Sequence, residues 1–345
     1  MSRPENTNDK KPILSAVNLS KHFRTGGALS ANTVKAVQGA SFDLYRGHVI
    51  ALVGESGSGK STIVRMLARL YEPTDGDILY DGESVLKHRG RRALLSYRAR
   101  VQMVFQDPFG SVNPVHRASH AIVRPLRIHR KVRSRSETRK RLLELLEQVS
   151  LTPADEFADK YPHQLSGGQR QRIAVARALA VEPDVILADE PVSMLDVSIR
   201  MGILNLMAKL RSEENIAFLY VTHDIASARY FSDEIMVMYA GFIVEKANAE
   251  ELISDPKHPY TQMLLDAVPD PMRGLRTAEV EIVGEIPDLT ELGQGCPFAP
   301  RCKHAMDHCW RSMPEPTHLE SGRWVRCYLY EDEQVAVSAQ AEAEA

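Results

Sequence analysis

The sequence predicts an α/β protein in which a parallel sheet flanked by helices is interrupted by an inserted helical subdomain and followed by a small appendage that carries every cysteine. Three observations predict it. Apolar runs at His48 to Val53 (HVIALV), Asp184 to Ala188 (DVILA) and Ala217 to Val221 (AFLYV) alternate with helical patterns, as buried parallel strands between helices do. From about residue 108 to 175 that alternation stops, and Thr138 to Ser150 places Leu142, Leu145, Leu146 and Val149 on one helical stripe. After about Asp255, prolines at 256, 259, 269, 271, 287, 297 and 300 break the chain into loops.

The 345 residues, 43% of them apolar, suffice for a full core and a smaller second unit. Lys and Arg number 43 against 45 Asp and Glu, a formal charge of -2, so no global positive field draws the chain to nucleic acid. No run approaches the roughly 18 apolar residues of a membrane span, and Met1 to Lys11 is too polar for a signal peptide. The expectation is a soluble, cytosolic chain with a flexible N-terminus at 1–11 and a disordered acidic tail at 331–345 (EDEQVAVSAQAEAEA). No internal repeat points to a solenoid.

Gly54-Glu55-Ser56-Gly57-Ser58-Gly59-Lys60-Ser61 fits G-x-x-x-x-G-K-[ST], with a strand before it and a helix after it, and Thr62 is counted with the loop as a nucleotide-binding residue. The glycines let the backbone wrap closely, so that successive N–H groups and the helix N-terminus face the phosphates of a nucleotide. Lys60 adds a point charge, and the Ser61 hydroxyl suits Mg²⁺. Ile63, Met66, Leu67 and Leu70 are expected to form the helix's apolar face. Further on, the strand Val185 to Ala188 ends in Asp189-Glu190-Pro191, delivering two carboxylates to the edge of the sheet where open α/β folds bind ligands. Asp189 is placed to hold Mg²⁺ and Glu190 to polarise an attacking water. Leu165-Ser166-Gly167-Gly168-Gln169 then reads as a glycine-containing turn into a helix over Gln169 to Ala180, a second anion site.

With two phosphate-binding elements in one chain, residues 12–255 resemble the ATP-binding cassette (ABC) family, a P-loop NTPase core, in which the LSGGQ signature completes the partner subunit's ATP site. The resemblance implies further roles, position by position. Gln106 in VFQDP looks like the Q-loop glutamine, which senses the γ-phosphate, touches Mg²⁺ and links the site to the inserted helices. His223 in VTHD looks like the switch histidine, and Asp196 in SMLD like the loop through which two nucleotide sites communicate, with Met194 where alanine is usual. Phe23 stands at the place of the aromatic that stacks on adenine. ATP and Mg²⁺ are the implied cofactors, and hydrolysis by Glu190, His223 and Gln106 the implied chemistry.

The tail narrows the resemblance. His258-Pro259-Tyr260-Thr261, followed by Gly295-Cys296-Pro297-Phe298-Ala299-Pro300-Arg301-Cys302, resembles the C-terminal region of dipeptide and oligopeptide importer ATPases, some of whose relatives carry oligosaccharides or nickel. That implies a second cassette, identical or homologous, two transmembrane permease subunits, an extracytoplasmic solute-binding protein, and a peripheral place on the cytoplasmic face of the membrane. A soluble cassette ATPase working on nucleic acid or ribosomes and a redox-sensing regulator are the rival readings; about 100 residues between phosphate loop and signature leave no room for a long coiled coil. Arg124 to Arg141 holds nine Lys and Arg against Glu137, a solvated helical face or a surface near anionic lipid head groups.

Cys296, Cys302, Cys309 and Cys327 follow C-x5-C-x6-C-x17-C, a count that suits tetrahedral zinc or a four-iron cluster, while the spacing matches neither a zinc ribbon nor a ferredoxin run. In the resembled tail this set is associated with a [4Fe-4S] cluster, a structural staple for a loop-rich segment. His304, His308 and His318 are alternative ligands for zinc.

Overall fold

The computed structural model describes residues 11–25, 32–88, 90–107, 110, 112–267, 287 and 289–332. Most of the expected flexible N-terminus and acidic tail lie outside the described residues. In chain order the strands are β1 (Leu14–Thr25), β2 (Asn32–Leu44), β3 (Val49–Val53), β4 (Asp75–Tyr80), β5 (Glu83–Ser84), β6 (Val101–Val104), β7 (Val185–Asp189), β8 (Ala217–Thr222), β9 (Glu234–Tyr239), β10 (Phe242–Asn248), β11 (Thr317–His318) and β12 (Trp324–Val325). The helices are α1 (Lys60–Leu67), α2 (Arg91–Arg100), α3 (Ala118–Ile128), α4 (Arg135–Gln148), α5 (Ala154–Asp159), α6 (Gly167–Leu179), α7 (Val197–Glu214), α8 (Ile225–Phe231), α9 (Ala249–Ser254) and α10 (Pro259–Asp266).

The main sheet has the order β11-β12-β10-β9-β3-β8-β7-β6. Its centre is parallel: β3 pairs with both β8 and β9, β8 with β7, and β7 with β6. Every residue of β3, β7 and β8 is buried, because helices cover one face and α1 with strands β1 and β2 covers the other. The three apolar runs thus fall on these strands to within a residue or two. A second, antiparallel sheet of order β2-β1-β4-β5 packs beside it. Periodicity did not announce this sheet, because the β1–β2 pairing shifts register three times between Ala16 and His22 and scrambles the inside–outside alternation.

Helices α3 to α6 form the insertion, and Ile122, Leu126, Leu142, Leu145, Leu146 and Val149 share one buried cluster. Helix α4 starts three residues before Thr138, since Ser134 Oγ accepts the Glu137 N–H at 3.1 Å while Glu137 Oε2 accepts the Arg133 N–H at 2.6 Å. It ends before Ser150, whose φ is 59°. The last helix of the insertion ends at Leu179, within one residue of the expected Ala180, and so runs a few residues past the approximate end of the insertion at 175. One assignment needs correction: α1 ends at Leu67, leaving Leu70 outside it and 47% exposed, and Val64 joins Ile63, Met66 and Leu67 on the buried face.

Beyond Asp255 the described residues are, apart from α10, mostly turns and short segments, yet some of them belong to the main sheet. Strand β12 pairs with β10, Glu245 opposite Val325 and Lys246 opposite Trp324. Glu245, fully buried, accepts hydrogen bonds from the N–H groups of Lys257 and His258, both at 2.9 Å, and from Arg323 Nη2 at 3.1 Å. A buried carboxylate with three donors is the knot that ties the tail to the sheet.

Candidate nucleotide site

The phosphate loop leaves the end of β3 and enters α1. Gly59 has a φ of +111°, and a Cβ there would stand 2.2 Å from the Ala36 carbonyl oxygen; at Gly54 it would stand 2.1 Å from that of Met238. Only glycine lets the loop lie this close to β2 and β9. Lys60 is 5% exposed, and its Nζ donates to the carbonyl oxygens of Gly54 and Glu55, both at 2.8 Å. Burial lowers its pKa, opposed by the nearby Glu190, Asp189 and Glu55 carboxylates.

Four neighbouring elements converge there. Ser61 Oγ, in the first turn of α1, donates to Asp189 Oδ1 at 2.9 Å. Asp189 ends β7; burial raises its pKa, against the Ser61 hydrogen bond and the charge of Arg65. Glu190 follows in a left-handed turn (φ 46°), its N–H donating to the Val221 carbonyl oxygen at 2.9 Å. Its Oε2 accepts from Gln106 Nε2 at 2.8 Å and lies 3.4 Å from His223 Nδ1. Gln106 lies two residues past β6 and His223 one past β8, so Lys60, Ser61, Gln106, Asp189, Glu190 and His223 meet at one edge of the parallel sheet. The Ser61 hydroxyl and Asp189 carboxylate are hard oxygen donors in contact, a pair suited to Mg²⁺.

The other predicted residues sit apart. Ser166 caps α6, its Oγ accepting the Gln169 N–H at 3.2 Å and its own N–H donating to Gln169 Oε1 at 3.0 Å. The helix therefore opens at Gly167, two residues before the expected Gln169, because this reciprocal cap ends the preceding turn. A Cβ on Gly168 would stand 2.4 Å from Ile199 Cγ2, so α6 and α7 touch there; Gly167 lies against Leu195. Among the described residues, no hydrogen bond or ion pair ties Ser166, Gly167, Gly168 or Gln169 to Gly54–Ser61. Asp196 is exposed at the start of α7, beside the exposed Met194 and Val197. Phe23, half-buried on β1, meets Tyr71 edge-on at 5.5 Å, with Lys21 Nζ 5.2 Å from its ring centroid.

All four cysteines line one small, largely apolar cavity with Phe298 and Met306. Burial pushes the Cys296 thiol up to about 11 and that of Cys327 up to about 12. Among the described residues, no three His, Cys, Asp or Glu side chains stand together as ligands of a single metal ion. Sequence reasoning passed over two further residues at the nucleotide site, Tyr260 and Arg301, both of which contact Glu55 from the tail. No local motif could have found them, because Arg301 reaches across 246 positions of sequence.

A phosphate loop, a pair of strand-end carboxylates and a separate LSGGQ helix define an ATP-binding cassette. The chain belongs to the ABC transporter family, whose model matches residues 37–193, and it carries the oligopeptide/dipeptide transporter C-terminal region at residues 244–309. It is 41% identical over 327 residues to the dipeptide transport ATP-binding protein DppF of Haemophilus influenzae, covering 93% of this chain and 99% of that one. The oligopeptide transport ATP-binding protein OppF of Bacillus subtilis is 48% identical over 259 residues, 75% of this chain and 83% of that one. Among solved structures, the dimeric ATP-binding cassette MJ0796 bound to ADP and Pi has a TM-score of 0.61 at 32% identity, covering 68% of this chain and 98% of that one.

Proposed function

We propose that this chain is the ATP-hydrolysing subunit that powers an importer of dipeptides or oligopeptides, seated peripherally on the cytoplasmic face of the membrane. The observation that carries the reading is the meeting of Lys60, Ser61, Gln106, Asp189, Glu190 and His223 at one sheet edge, in a chain whose similarity to peptide-transport ATPases continues through its tail. The loop Gly54 to Ser61, with Thr62 behind it, holds the phosphates, and Phe23 stacks on the adenine. Ser61, Asp189 and Gln106 would hold Mg²⁺, which when bound supplies positive charge against the polyphosphate. Glu190 orients and polarises the attacking water, while Gln106 and His223, both at its carboxylate, register the γ-phosphate.

The signature residues Ser166 to Gln169 are tied to their own helix and not to their own phosphate loop, which supports a site closed by a second cassette. The exposed Met194 and Val197 beside Asp196 suit the same contact. Among the described residues, no helix is long and apolar enough to cross a membrane, so the channel falls to separate permease subunits, with solute delivered by an extracytoplasmic binding protein. A cleft of about 320 Å³, lined by Gln102, Val112, Ile128 and Arg177 among others, offers those subunits a socket. The four cysteines hold a [4Fe-4S] cluster as a staple, a reading supported by the resemblance of the tail and by all four cysteines lining one cavity. Iron and sulfide analysis of anaerobically purified protein should find both, and equimolar zinc without sulfide would sink the cluster.

The shared site has a direct test. In a complex with two distinguishable cassettes, Ser166→Arg in this chain should stop nucleotide trapping at the partner's phosphate loop and spare the site at Lys60. Loss confined to this chain's own site would refute the arrangement.

A further inference from the structure

One ion pair joins the cysteine-bearing tail to the phosphate loop. Arg301 lies in the short turn Ala299–Arg301, directly before Cys302, with its side chain 2% exposed. Its Nη1 donates to Glu55 Oε2 at 3.0 Å and its Nη2 to Glu55 Oε1 at 3.1 Å, a two-pronged grip. The rings of Tyr239 and Phe298 wall the guanidinium, each 5.8 Å away, and Tyr239 Oη accepts a further hydrogen bond from Nη1 at 3.3 Å. Beside it, Tyr260 Oη accepts the Glu55 N–H at 2.9 Å. The tail therefore holds both the side chain and the amide of the second residue of the loop.

Glu55 is an odd neighbour for a polyphosphate. An unpaired carboxylate in that loop would repel the ligand, and in this partly buried setting the repulsion is screened far less than in water. Arg301, which stays charged at any working pH, cancels it, and its planar fork fixes the carboxylate's direction.

We propose that Arg301 is a positioning residue of the nucleotide site: by neutralising Glu55 and, with Tyr260, fixing the loop's second residue, it makes the four-cysteine tail a determinant of ATP affinity. This rests on the reading of Gly54 to Ser61 as the nucleotide loop.

The test measures the dissociation constant of Mg-ATP for the full-length chain. Arg301→Met should weaken binding about tenfold, and Arg301→Lys, which keeps the charge and loses the fork, about threefold. The discriminating variant is the double one: Glu55→Gln added to Arg301→Met removes the uncompensated charge and should recover about fivefold. A role confined to folding the tail predicts no recovery. Wild-type affinity in Arg301→Met, or a double variant as weak as the single, overturns the proposal. Should Arg301→Met not fold, Arg301→Lys with and without Glu55→Gln gives the same comparison. Lys60→Ala separates the two readings: if it binds Mg-ATP as wild type, the loop assignment fails; if it alone loses binding, only the role of Arg301 fails.

Discussion

The parallel half of the main sheet and the C-terminal tail reach the same nucleotide loop by different physical means. At the parallel edge, position comes from backbone pairing: Gln106, Asp189, Glu190 and His223 each stand at or within two residues of the end of a strand whose neighbours are locked in register over four or five residues. The tail has two-residue strands, and beside a few apolar anchors such as Tyr260 and Phe298 its position comes from buried charges, Arg301 on Glu55 and Arg323 on Glu245. Hydrophobic burial and ladder hydrogen bonds involve no titrating group and so change little with pH, whereas a buried charge cluster fails when one partner is lost or changes its charge. The difference predicts that catalysis depends on chemistry at the sheet edge, and robustness on charge in the tail.

The largest effect should come from the sheet edge. Glu190→Gln keeps the shape of the turn but cannot polarise water as a carboxylate does, so turnover should fall on the order of 100- to 1000-fold with ATP binding retained. Single-turnover hydrolysis and nucleotide binding measured side by side check it, and an unchanged rate removes Glu190 from the chemistry.

In the tail, Arg323→Met should cost about 3 to 5 kcal/mol, since it strips a cation that is 8% exposed from a carboxylate that is fully buried. Urea unfolding gives the number. A loss below about 1 kcal/mol, the worth of a surface pair, would erase the contrast between the two regions.

Acid sharpens the same contrast. His258 is 1% exposed, its Nδ1 accepts the Tyr260 N–H at 3.0 Å, and burial holds its pKa down to about 3. The unfolded chain takes up a proton near the ordinary histidine value of about 6.5, so below that pH it binds more protons than the folded chain and stability falls with acidification. From about pH 6.5 towards about 3, each pH unit should cost up to about 1.4 kcal/mol from this group, with no contribution above. His258→Asn should flatten that part of the pH–stability curve; an identical slope would clear His258.

The smallest effect is expected at Phe23, whose ring already has partners within the protein. Phe23→Ala should raise the ATP dissociation constant about fivefold, as lost stacking is worth about 1 kcal/mol. An unchanged constant makes Phe23 ordinary strand packing.

What could be read from sequence follows from how locally each feature is encoded. The phosphate loop, Asp189-Glu190 and the signature are contiguous runs whose chemistry is set by backbone and neighbour, so residue order alone determined them, as it did the buried strands that present them. The antiparallel sheet stayed hidden because bulges in β1 erase its alternation, and Leu70 was misplaced because α1 stops a turn early. Only the tertiary structure decided that Gln106 and His223 converge on Glu190, that β12 extends the main sheet, and that Arg301 grips Glu55. These contacts join positions tens to hundreds of residues apart, and a side chain's preference for a distant partner leaves no period or spacing in the chain; it exists only once the core has packed and brought the two partners together.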